Sequence, residues 1–312
     1  MAQIANTHAT FNSSRVREQL MGKIWNVSVS ETPTLALIGK TKADGPNEEW
    51  LTDSFAAGAS NKVEQGNASA LAAPADVSRY SNRTQISEKV GGVTGTQEAV
   101  EKAGDASEYD YQVSKKMVEL KKDVEFGVLQ NTTSIAAASG TAPQARGLLG
   151  FIATNTSYSG ATNANPLTNV APTDGTTRAF SENLMKDVLK LMFDNGAPMD
   201  NLYALIPSAQ RGTFDGFLAG QTRFDKAEDK TLTATLEVYI GPFGRVKAVN
   251  ARHMRSREVF VVNPGFVKLA VLRPMKDTKL AKTGDSENFL INTEWTLKVM
   301  NEKACGAVRD LS

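Results

Sequence analysis

The sequence predicts an α+β protein that carries a long polar arm. Residues 107–130 have the apolar spacing of a long amphipathic helix, and short apolar segments toward the C-terminus have the length and flanking turn signals of strands. Between residues 40 and 107, by contrast, only 11 of 68 positions hold a large apolar side chain, against 12 of 23 between residues 184 and 206. The polar stretch therefore cannot form a core of its own.

The arm, residues 40–106, is predicted to be an extended hairpin. An isolated hairpin is marginally stable in water, and structureless loops beyond about 15 residues are uncommon within compact domains. We therefore expect the arm to lean on another copy of the chain. Because it should add little to its own subunit's core, we expect that residues 55–85 can be removed without unfolding the rest. Its scattered apolar residues include Trp50, Leu51, Phe55, Ile86, Val90 and Val93.

A long helix is predicted to follow the arm. Ser107 is suited to an N-cap, and Glu108 and Asp110 place carboxylates in the first turn, where they complement the helix dipole. Apolar residues then recur at spacings of 4, 4, 3, 4 and 4, which puts one stripe along a helix of about 24 residues. The opposite face is charged and is expected to be solvated or to meet a polar partner. The stripe is Tyr109, Val113, Met117, Leu120, Val124 and Val128, and the charged face is Lys115, Lys116, Glu119, Lys122 and Asp123.

Two shorter helices are predicted on either side of this one. The first covers residues 15–27 and is ended by Pro33. The second covers residues 181–193 and is stopped by Asn195-Gly196. Its buried face is expected to hold Leu184, Val188, Leu191 and Met192.

Residues 131–179 are predicted to be a linker, because they are rich in Thr, Ala, Asn, Gly and Pro. One apolar patch, residues 148–152, interrupts this composition. Beyond the helix at 181–193, apolar segments separated by turn signals predict the strands of a sheet that this helix covers. The clearest strand is the last, in which apolar and polar residues alternate. The predicted strands are 202–206, 236–240, 245–250, 259–262, 266–272 and 289–299.

Composition excludes several classes of function. The 35 Lys and Arg residues nearly balance the 34 Asp and Glu residues, so the chain has no global basic field for gripping nucleic acid. The single cysteine, Cys305, rules out an intramolecular disulfide and a multi-cysteine zinc site, and is expected to be a small core residue. The N-terminus has no secretory pattern and the chain has no run of about 18 apolar residues, so we expect a protein that is neither secreted nor membrane-spanning.

Motifs that resemble chemical sites are incomplete. Gly39-Lys40-Thr41 imitates the end of a phosphate-binding loop, but position 34 is Thr where that loop needs Gly. His8 lies in the expected N-terminal arm, and His253 lies at an expected strand end or turn, where a surface histidine is favoured over a general base. The acidic groups Glu48-Glu49 and 225–229 are expected to be solvated, or to lie at a subunit contact. We therefore predict no catalytic, cofactor-binding or metal-binding residues.

Four lysines on the long helix could face a polyanion, but acidic neighbours dilute their charge through i,i+4 pairing. We favour an ordinary solvated face. The lysines are Lys115, Lys116, Lys121 and Lys122, and the acidic neighbours are Glu119, Asp123 and Glu125.

The order of several segments carries a family resemblance. These are Thr32-Pro33, Ile38-Gly39-Lys40, Lys42-Ala43, Glu49-Trp50-Leu51-Thr52-Asp53, 115–130, Ala145-Arg146-Gly147-Leu148-Leu149-Gly150 and Ile206-Pro207-Ser208-Ala209-Gln210. Together they resemble the major capsid proteins of tailed bacteriophages, which share the Hong Kong 97-type fold, and in particular a family of phage head proteins once known only as a domain of unknown function. The resemblance covers most of the chain and rests on collinearity.

The resemblance implies a division of the chain into regions. Residues 1–39 would be the N-terminal arm, and 40–106 the extended loop, or E-loop. Residues 107–179 would hold the spine helix of the peripheral domain and a linker, 180–262 the axial domain, and 263–312 the return strands of both domains. The polar arm would then lie across a neighbouring subunit.

The resemblance also implies a function. The chain would be a non-enzymatic subunit that assembles as hexamers and pentamers into an icosahedral or prolate head around double-stranded DNA, which it contacts non-specifically. Portal, scaffold and decoration proteins are further expected partners, no membrane is involved, and assembly in the bacterial cytoplasm would end in the virion. Some such capsids crosslink a loop lysine to a neighbour's asparagine; Lys40, Lys42 and Lys62 are present, but no partner motif is, so we predict no crosslink. The alternatives are an encapsulin-like compartment shell, a tail-tube or decoration protein, and a hydrolase.

Overall fold

The computed structural model describes residues 32–53, 55–56, 58–67, 71, 76–100, 107–160, 162–218, 238–282 and 284–312. The predicted helix at 15–27, His8 and the acidic group at 225–229 lie outside the described residues.

The described residues form an α+β fold in which runs of strands are separated by helices. The helices are α1 (Pro33–Leu37), α2 (Gly95–Ala99), α3 (Glu108–Gln130), α4 (Leu148–Phe151), α5 (Glu182–Asp194) and α6 (Ser208–Asp215). The strands are β1 (Gly39–Lys42), β2 (Asn47–Thr52), β3 (Ser78–Arg83), β4 (Gln85–Thr94), β5 (Thr156–Ser157), β6 (Leu202–Ile206), β7 (Val238–Gly241), β8 (Gly244–Asn250), β9 (Val259–Val262), β10 (Val267–Lys279), β11 (Ser286–Val299) and β12 (Gly306–Val308).

A four-stranded sheet in the order β1-β10-β11-β4 supports the long helix α3. Its inner strand β11 alternates as predicted: Phe289, Ile291, Trp295 and Leu297 are buried on one face. Strand β4 pairs with β11 over ten residues, from Gln85 opposite Trp295 to Thr94 opposite Ser286. The expectation that residues 40–106 form one extended hairpin is therefore wrong, because β4 belongs to the main sheet of its own subunit.

Helix α3 is close to its prediction. Ser107 is the N-cap and its hydroxyl accepts a hydrogen bond from the amide of Asp110 at 3.2 Å. Within the predicted stripe, Leu120 and Val128 are fully buried. The prediction was wrong for Glu125, which is fully buried because α1 lies over it: the Thr34 amide donates to the carboxylate at 3.4 Å. Burial raises the pKa of Glu125, and the hydrogen bonds from Thr34 and Leu35 oppose that shift.

A six-stranded sheet in the order β5-β12-β9-β6-β8-β7 forms the second layer, and α5 covers one of its faces as predicted. The predicted phase of α5 was partly wrong. Met185 and Leu189 are fully buried, while Leu184 and Leu191 are only partly so. The predicted end of α5 is confirmed. Asn195 is the C-cap, and Gly196 has a positive φ of 76°, which glycine adopts without strain.

The segment predicted as a linker, residues 131–179, is instead packed into the core over residues 145–152, while most of residues 131–144 and most of the described residues of 157–179 are half-buried or exposed. Helix α4 and the residues before it are buried from Ala145 to Ile152, against α3. The approach is close: a Cβ on Gly150 would lie 1.9 Å from the Thr132 carbonyl oxygen. Strand β5 then pairs in parallel with the C-terminal strand β12.

Candidate assembly surface

The arm is an antiparallel hairpin of β2 and β3, with Asn47 opposite Arg83 and Thr52 opposite Ser78. We call the connection between these strands, residues 53–77, the hairpin tip. Its described large apolar residues are exposed: Phe55 and Leu71 are each 104% exposed and Val63 is 71% exposed. Large apolar side chains this exposed within one short segment are typical of a surface that another molecule covers.

Trp50 fixes the base of the hairpin to the core of its own subunit. Its indole N–H donates to the Val299 carbonyl at 2.9 Å, and its ring lies against Tyr80 and Phe151. The Lys298 ammonium lies 5.7 Å from the centre of the Trp50 ring. The hairpin base is thus bound to the core, while Phe55, Val63 and Leu71 of the tip are exposed.

Polar contacts complete this base. Asn82 is fully buried on β3; its amide N–H₂ donates to the carbonyls of Arg146 and Leu297, and its carbonyl accepts from the Arg146 amide at 2.8 Å. Glu48 is buried and pairs with Lys298 at 2.9 Å. The expectation that Glu48 is solvated is therefore wrong, whereas Glu49 is exposed and pairs with Arg79.

An open groove with a volume of about 710 Å³ lies where α1, β1 and α3 meet β10 and β11. Most of its lining is apolar, but three of the lining residues are exposed lysines, Lys40, Lys42 and Lys121. None of the three forms an ion pair with another described residue. The apolar lining is formed by Leu35, Ala36, Val124, Leu269, Val271, Pro274, Met275 and Trp295.

The charged face of α3 is partly neutralised within the chain. Lys116 pairs with Glu119 at 2.7 Å, and Asp123 pairs with Lys89 of β4 at 2.7 Å. The Lys116 ammonium holds the pKa of Glu119 below its usual range. Lys115 is exposed, while Lys121 lines the groove. The four lysines therefore do not form one uniform basic face.

The phosphate-loop-like motif and His253 both lie in surroundings that are explained by the fold. Gly39, Lys40 and Thr41 lie in strand β1, paired in parallel with β10, rather than in a loop before a helix. Burial lowers the pKa of His253, helped by Lys122 and Arg252, and the His253 carbonyl accepts from Gln130.

Two further predictions concern single side chains. Cys305 is fully buried, as predicted, and burial raises the pKa of its thiol to about 12. Lys62 is exposed in the hairpin tip.

A buried polar cluster at the C-terminus went unrecognised in the sequence. The Asp310 carboxylate accepts from the amides of Ser159 and Gly175, and the Arg309 guanidinium donates to two carbonyls of the same segment. Glu258 lies in this cluster, 1% exposed, with one oxygen 3.2 Å from Arg255. Burial raises the pKa of Glu258 to about 7, although Arg255 and Arg309 oppose the shift. Neighbouring pairs such as Arg309-Asp310 were the available signal, but their partners are distant in sequence.

Across the part of the chain that the structure describes, no group of three or more His, Cys, Asp or Glu side chains could hold a metal ion. Within the same residues, no helix combines the length and the apolar character needed to cross a membrane.

Comparisons with known proteins give a consistent result. A family model described as SU10 major capsid protein matches residues 3–312. No curated protein sequence matches this chain. Among solved structures, the capsid of a native GTA particle covers 99% of this chain and 100% of its own, with 13% identity and a TM-score of 0.68. The capsid of cyanophage A-1(L) covers 97% and 98%, with 13% identity and a TM-score of 0.68.

A third solved structure holds the major capsid and decoration proteins of phage G. It covers 100% of both chains, with 13% identity and a TM-score of 0.57. At identities this low, the coverage and the TM-scores show a shared fold and nothing more. The predicted phage capsid fold is confirmed.

Proposed function

Because the chain belongs to the family of SU10 major capsid proteins, we propose that it is the repeating subunit of an icosahedral or prolate phage head that encloses double-stranded DNA. The chain is a structural capsid subunit by its family, and the role that we propose for it is mechanical rather than catalytic. Hexamers and pentamers would form the shell, since symmetric closure turns many weak contacts into a stable container.

The observation that carries the proposal is the hairpin. Its base is bound to its own core through Trp50, while its tip exposes Phe55 and Leu71. A rigidly mounted arm with an apolar end is suited to hold a second subunit. The arm would therefore cross onto a neighbour, and shell strength would come from many such contacts.

The regions implied by the resemblance can be reassigned on this basis. Helix α3 with the four-stranded sheet would form the peripheral domain, and the six-stranded sheet with α5 would form the axial domain. Residues 47–83 would act as the extended loop, since β4 returns to the main sheet. Residues 1–39 would remain the N-terminal arm.

Further partners belong to the same proposal. The phage G structure holds decoration proteins with its major capsid protein, and by analogy decoration, portal or scaffold proteins would bind the assembled shell. Contacts to DNA would be non-specific and weak, because a nearly neutral chain supplies little attraction to the phosphate backbone. Assembly would take place in the cytoplasm of the bacterial host, and the subunit would end in the virion head.

Electron microscopy of the expressed full-length protein tests the proposal. We expect closed shells, and particles isolated from phage-producing cells should contain DNA. Particles that enclose a protein cargo instead would favour a compartment shell of the encapsulin kind. A homogeneous monomer of about the chain mass, 33.5 kDa, across the micromolar range would contradict self-assembly.

A further inference from the structure

A small pocket lies at one end of the four-stranded sheet. It is formed by the end of β4, helix α2, the first turn of α3, and residues 282 and 285–287, which lead into β11. Its volume of about 320 Å³ is at the lower end of the range of ligand pockets, roughly 300 to 1,000 Å³. It shares no lining residue with the groove between α1, α3 and β10. We call it the Tyr109 pocket, after one of the residues that line it.

The hydroxyl of Tyr109 has no hydrogen-bond partner among the described residues. The residue is 9% exposed, and its ring packs against that of Phe289 with the ring centres 5.3 Å apart. A buried hydroxyl without a partner keeps the full cost of leaving water. Because a tyrosine hydroxyl can both donate and accept a hydrogen bond, a polar ligand in the pocket would supply the missing partner.

A second unpartnered group lines the same pocket. The carboxylate of Asp285 forms no hydrogen bond or ion pair with another described residue. The backbone sets its position, because the Gly95 amide donates to the Asp285 carbonyl at 3.2 Å. A Cβ on Gly95 would lie 2.4 Å from Asp285 Oδ1, so the carboxylate lies directly against this glycine. A buried hydroxyl and an unpaired carboxylate therefore line one pocket.

The N-terminus of α3, beside the pocket, already has its anion. The amides of Glu108 and Tyr109 donate to the Glu98 carboxylate at 3.0 and 3.3 Å, and the Asp110 amide donates to the Ser107 hydroxyl at 3.2 Å. A helix N-terminus attracts anions through such amides and through its dipole. Because the chain itself supplies a carboxylate here, the helix gives no reason to expect a bound anion.

The charges around the pocket favour a cation. One ammonium in its lining, Lys282, is outnumbered by three carboxylates, which belong to Glu98, Asp285 and Glu287. Lys282 pairs with Glu287 at 3.0 Å, which leaves Asp285 without a counter-ion. The ammonium of Lys279 lies 4.8 Å from the centre of the Tyr109 ring, so the structure already accommodates one ammonium beside this residue.

The same excess of negative charge acts on the Tyr109 hydroxyl. Burial raises its pKa, and Lys279 opposes that shift. The carboxylates of Asp277, Glu287 and Asp110 add to the increase. More carboxylates than ammonium groups therefore act on the hydroxyl, and an additional cation beside it is electrostatically favoured.

We propose that the Tyr109 pocket binds a short aliphatic amine. Its ammonium group, which has three donors, would donate to the Tyr109 hydroxyl oxygen and to the Asp285 carboxylate. The aliphatic stem would lie against Val93 and Ala99. An uncharged polyol would leave the carboxylates without a counter-ion, and an apolar molecule would leave the hydroxyl without a partner. The inference goes beyond the proposed function and does not depend on it.

Calorimetric titration of the full-length protein with 1,4-diaminobutane at pH 7 tests the proposal. We expect a dissociation constant on the order of 1 mM, as is usual for a ligand of about six non-hydrogen atoms. Butylamine, with one ammonium, should bind about threefold more weakly, and uncharged 1,4-butanediol at least about tenfold more weakly. Equal binding of the diol, or no binding of either amine, would overturn the proposal. Competition by magnesium chloride as strong as that by the diamine would overturn it too, since it would show charge screening alone.

A lysine side chain of another subunit carries the same alkylammonium group, and two preparations distinguish the sources. The diamine should bind to unassembled subunits and to closed shells with the same affinity. Binding to subunits that is lost in shells would overturn the free amine as the ligand and assign the pocket to such a side chain.

Single substitutions locate the binding. Tyr109→Phe keeps the ring contact with Phe289 and should weaken binding of the diamine by about tenfold, as expected for a hydrogen bond to a charged group. Asp285→Asn should weaken it about threefold, as expected for an exposed ion pair. The matched control is Asp194→Asn, which removes an exposed carboxylate from α5 and should leave the affinity unchanged. Unchanged affinity in Tyr109→Phe would overturn the assignment.

Urea unfolding with and without the diamine supplies an independent readout. Without it, Tyr109→Phe should be at least as stable as the unmodified chain, because the substitution removes a hydroxyl that has no partner. At a diamine concentration ten times the dissociation constant, the folding equilibrium constant of the unmodified chain should rise about tenfold. That of Tyr109→Phe should rise only about twofold at the same concentration. Equal gains, or a less stable variant without the amine, would overturn the proposal.

Discussion

The indole N–H of Trp50 donates to the carbonyl of Val299 at 2.9 Å, which joins the arm to the last residue of the longest strand, 249 positions away. Trp50 is 8% exposed and packs between Tyr80 and Phe151. The bond explains how a hairpin with no core of its own has a fixed base. It also distinguishes two parts of the arm: the base is bound to the core of its own subunit, and the described large apolar residues of the tip are exposed.

Trp50→Ala should destabilise the subunit by about 3 to 5 kcal/mol, the usual cost of deleting a buried aromatic side chain. Trp50→Phe keeps most of the packing but leaves the Val299 carbonyl without its donor, and should cost about 1 to 3 kcal/mol. Urea unfolding followed by circular dichroism measures both. If the two variants are equally stable, the side chain does not pack as the structure describes.

Much of the fold could be predicted from the sequence wherever the signal was local. Ser107 and the apolar stripe of α3 are such cases, and so is the alternation of β11. The errors arose where distant segments decide burial. The sequence predicts that Glu125 is on the surface, but α1 packs over it. The sequence predicts that Asn82 belongs to the arm, but it is buried through hydrogen bonds to Arg146 and Leu297.

The buried face of α5 and the position of the groove could not be predicted from the sequence, because both depend on how separate elements pack. In α5, apolar residues occur on adjacent faces, so Met185 and Leu184 are equally acceptable by spacing, and only the strands beneath decide. The groove gathers Leu35, Val124 and Val271 from three separate elements. No local pattern marks such a surface.

Leu120→Ala in α3 should lower the free energy of unfolding by about 2 to 5 kcal/mol, because it leaves a cavity. Leu120 is fully buried and packs in a cluster with Tyr109, Phe289 and Ile291. The matched control is Ser114→Ala on the exposed side of the same helix, which should change stability by no more than a few tenths of a kcal/mol. A Leu120 variant with an unchanged unfolding midpoint would contradict the assigned helix phase.

Glu258 should give the subunit a pH-dependent stability near neutrality. Its folded pKa, raised to about 7, exceeds the usual value of 4.5, so the folded state holds the proton more tightly than the unfolded state. The contribution of this group therefore favours folding below about pH 4.5 and declines as the pH rises through 7, by on the order of 3 kcal/mol.

Comparison with Glu258→Gln isolates this effect from other titrating groups. The free energy of unfolding of the variant minus that of the unmodified chain should rise between pH 5 and pH 8. The sign of this difference at any one pH is not part of the prediction. Arg255, Arg309, Asp174 and Asp310 surround the carboxyl and remain in both proteins. Chemical unfolding at several pH values gives the difference. A difference that is constant over this range would show that Glu258 is ionised throughout.

Deletion of the hairpin tip should separate folding from assembly. Thr52 and Ser78 are paired at the end of the hairpin, so residues 54–76 can be replaced by a short Gly/Ser turn without moving either strand. The shorter loop lowers the entropic cost of closing the hairpin by on the order of 1 kcal/mol. The subunit should keep its circular dichroism spectrum and a cooperative melt.

Assembly should fail in the same variant if a neighbour covers the tip as proposed, because the exposed apolar residues Phe55, Val63 and Leu71 are gone. Removal of residues 55–85, which the sequence alone suggested as harmless, is the informative comparison: it also deletes Tyr80 and Asn82, which pack on the core, and should unfold the subunit. Sedimentation and electron microscopy of both variants decide the matter. Closed shells from the 54–76 deletion would refute the bridging role of the tip, and unfolding of that variant would mean that the tip belongs to the core of its own subunit.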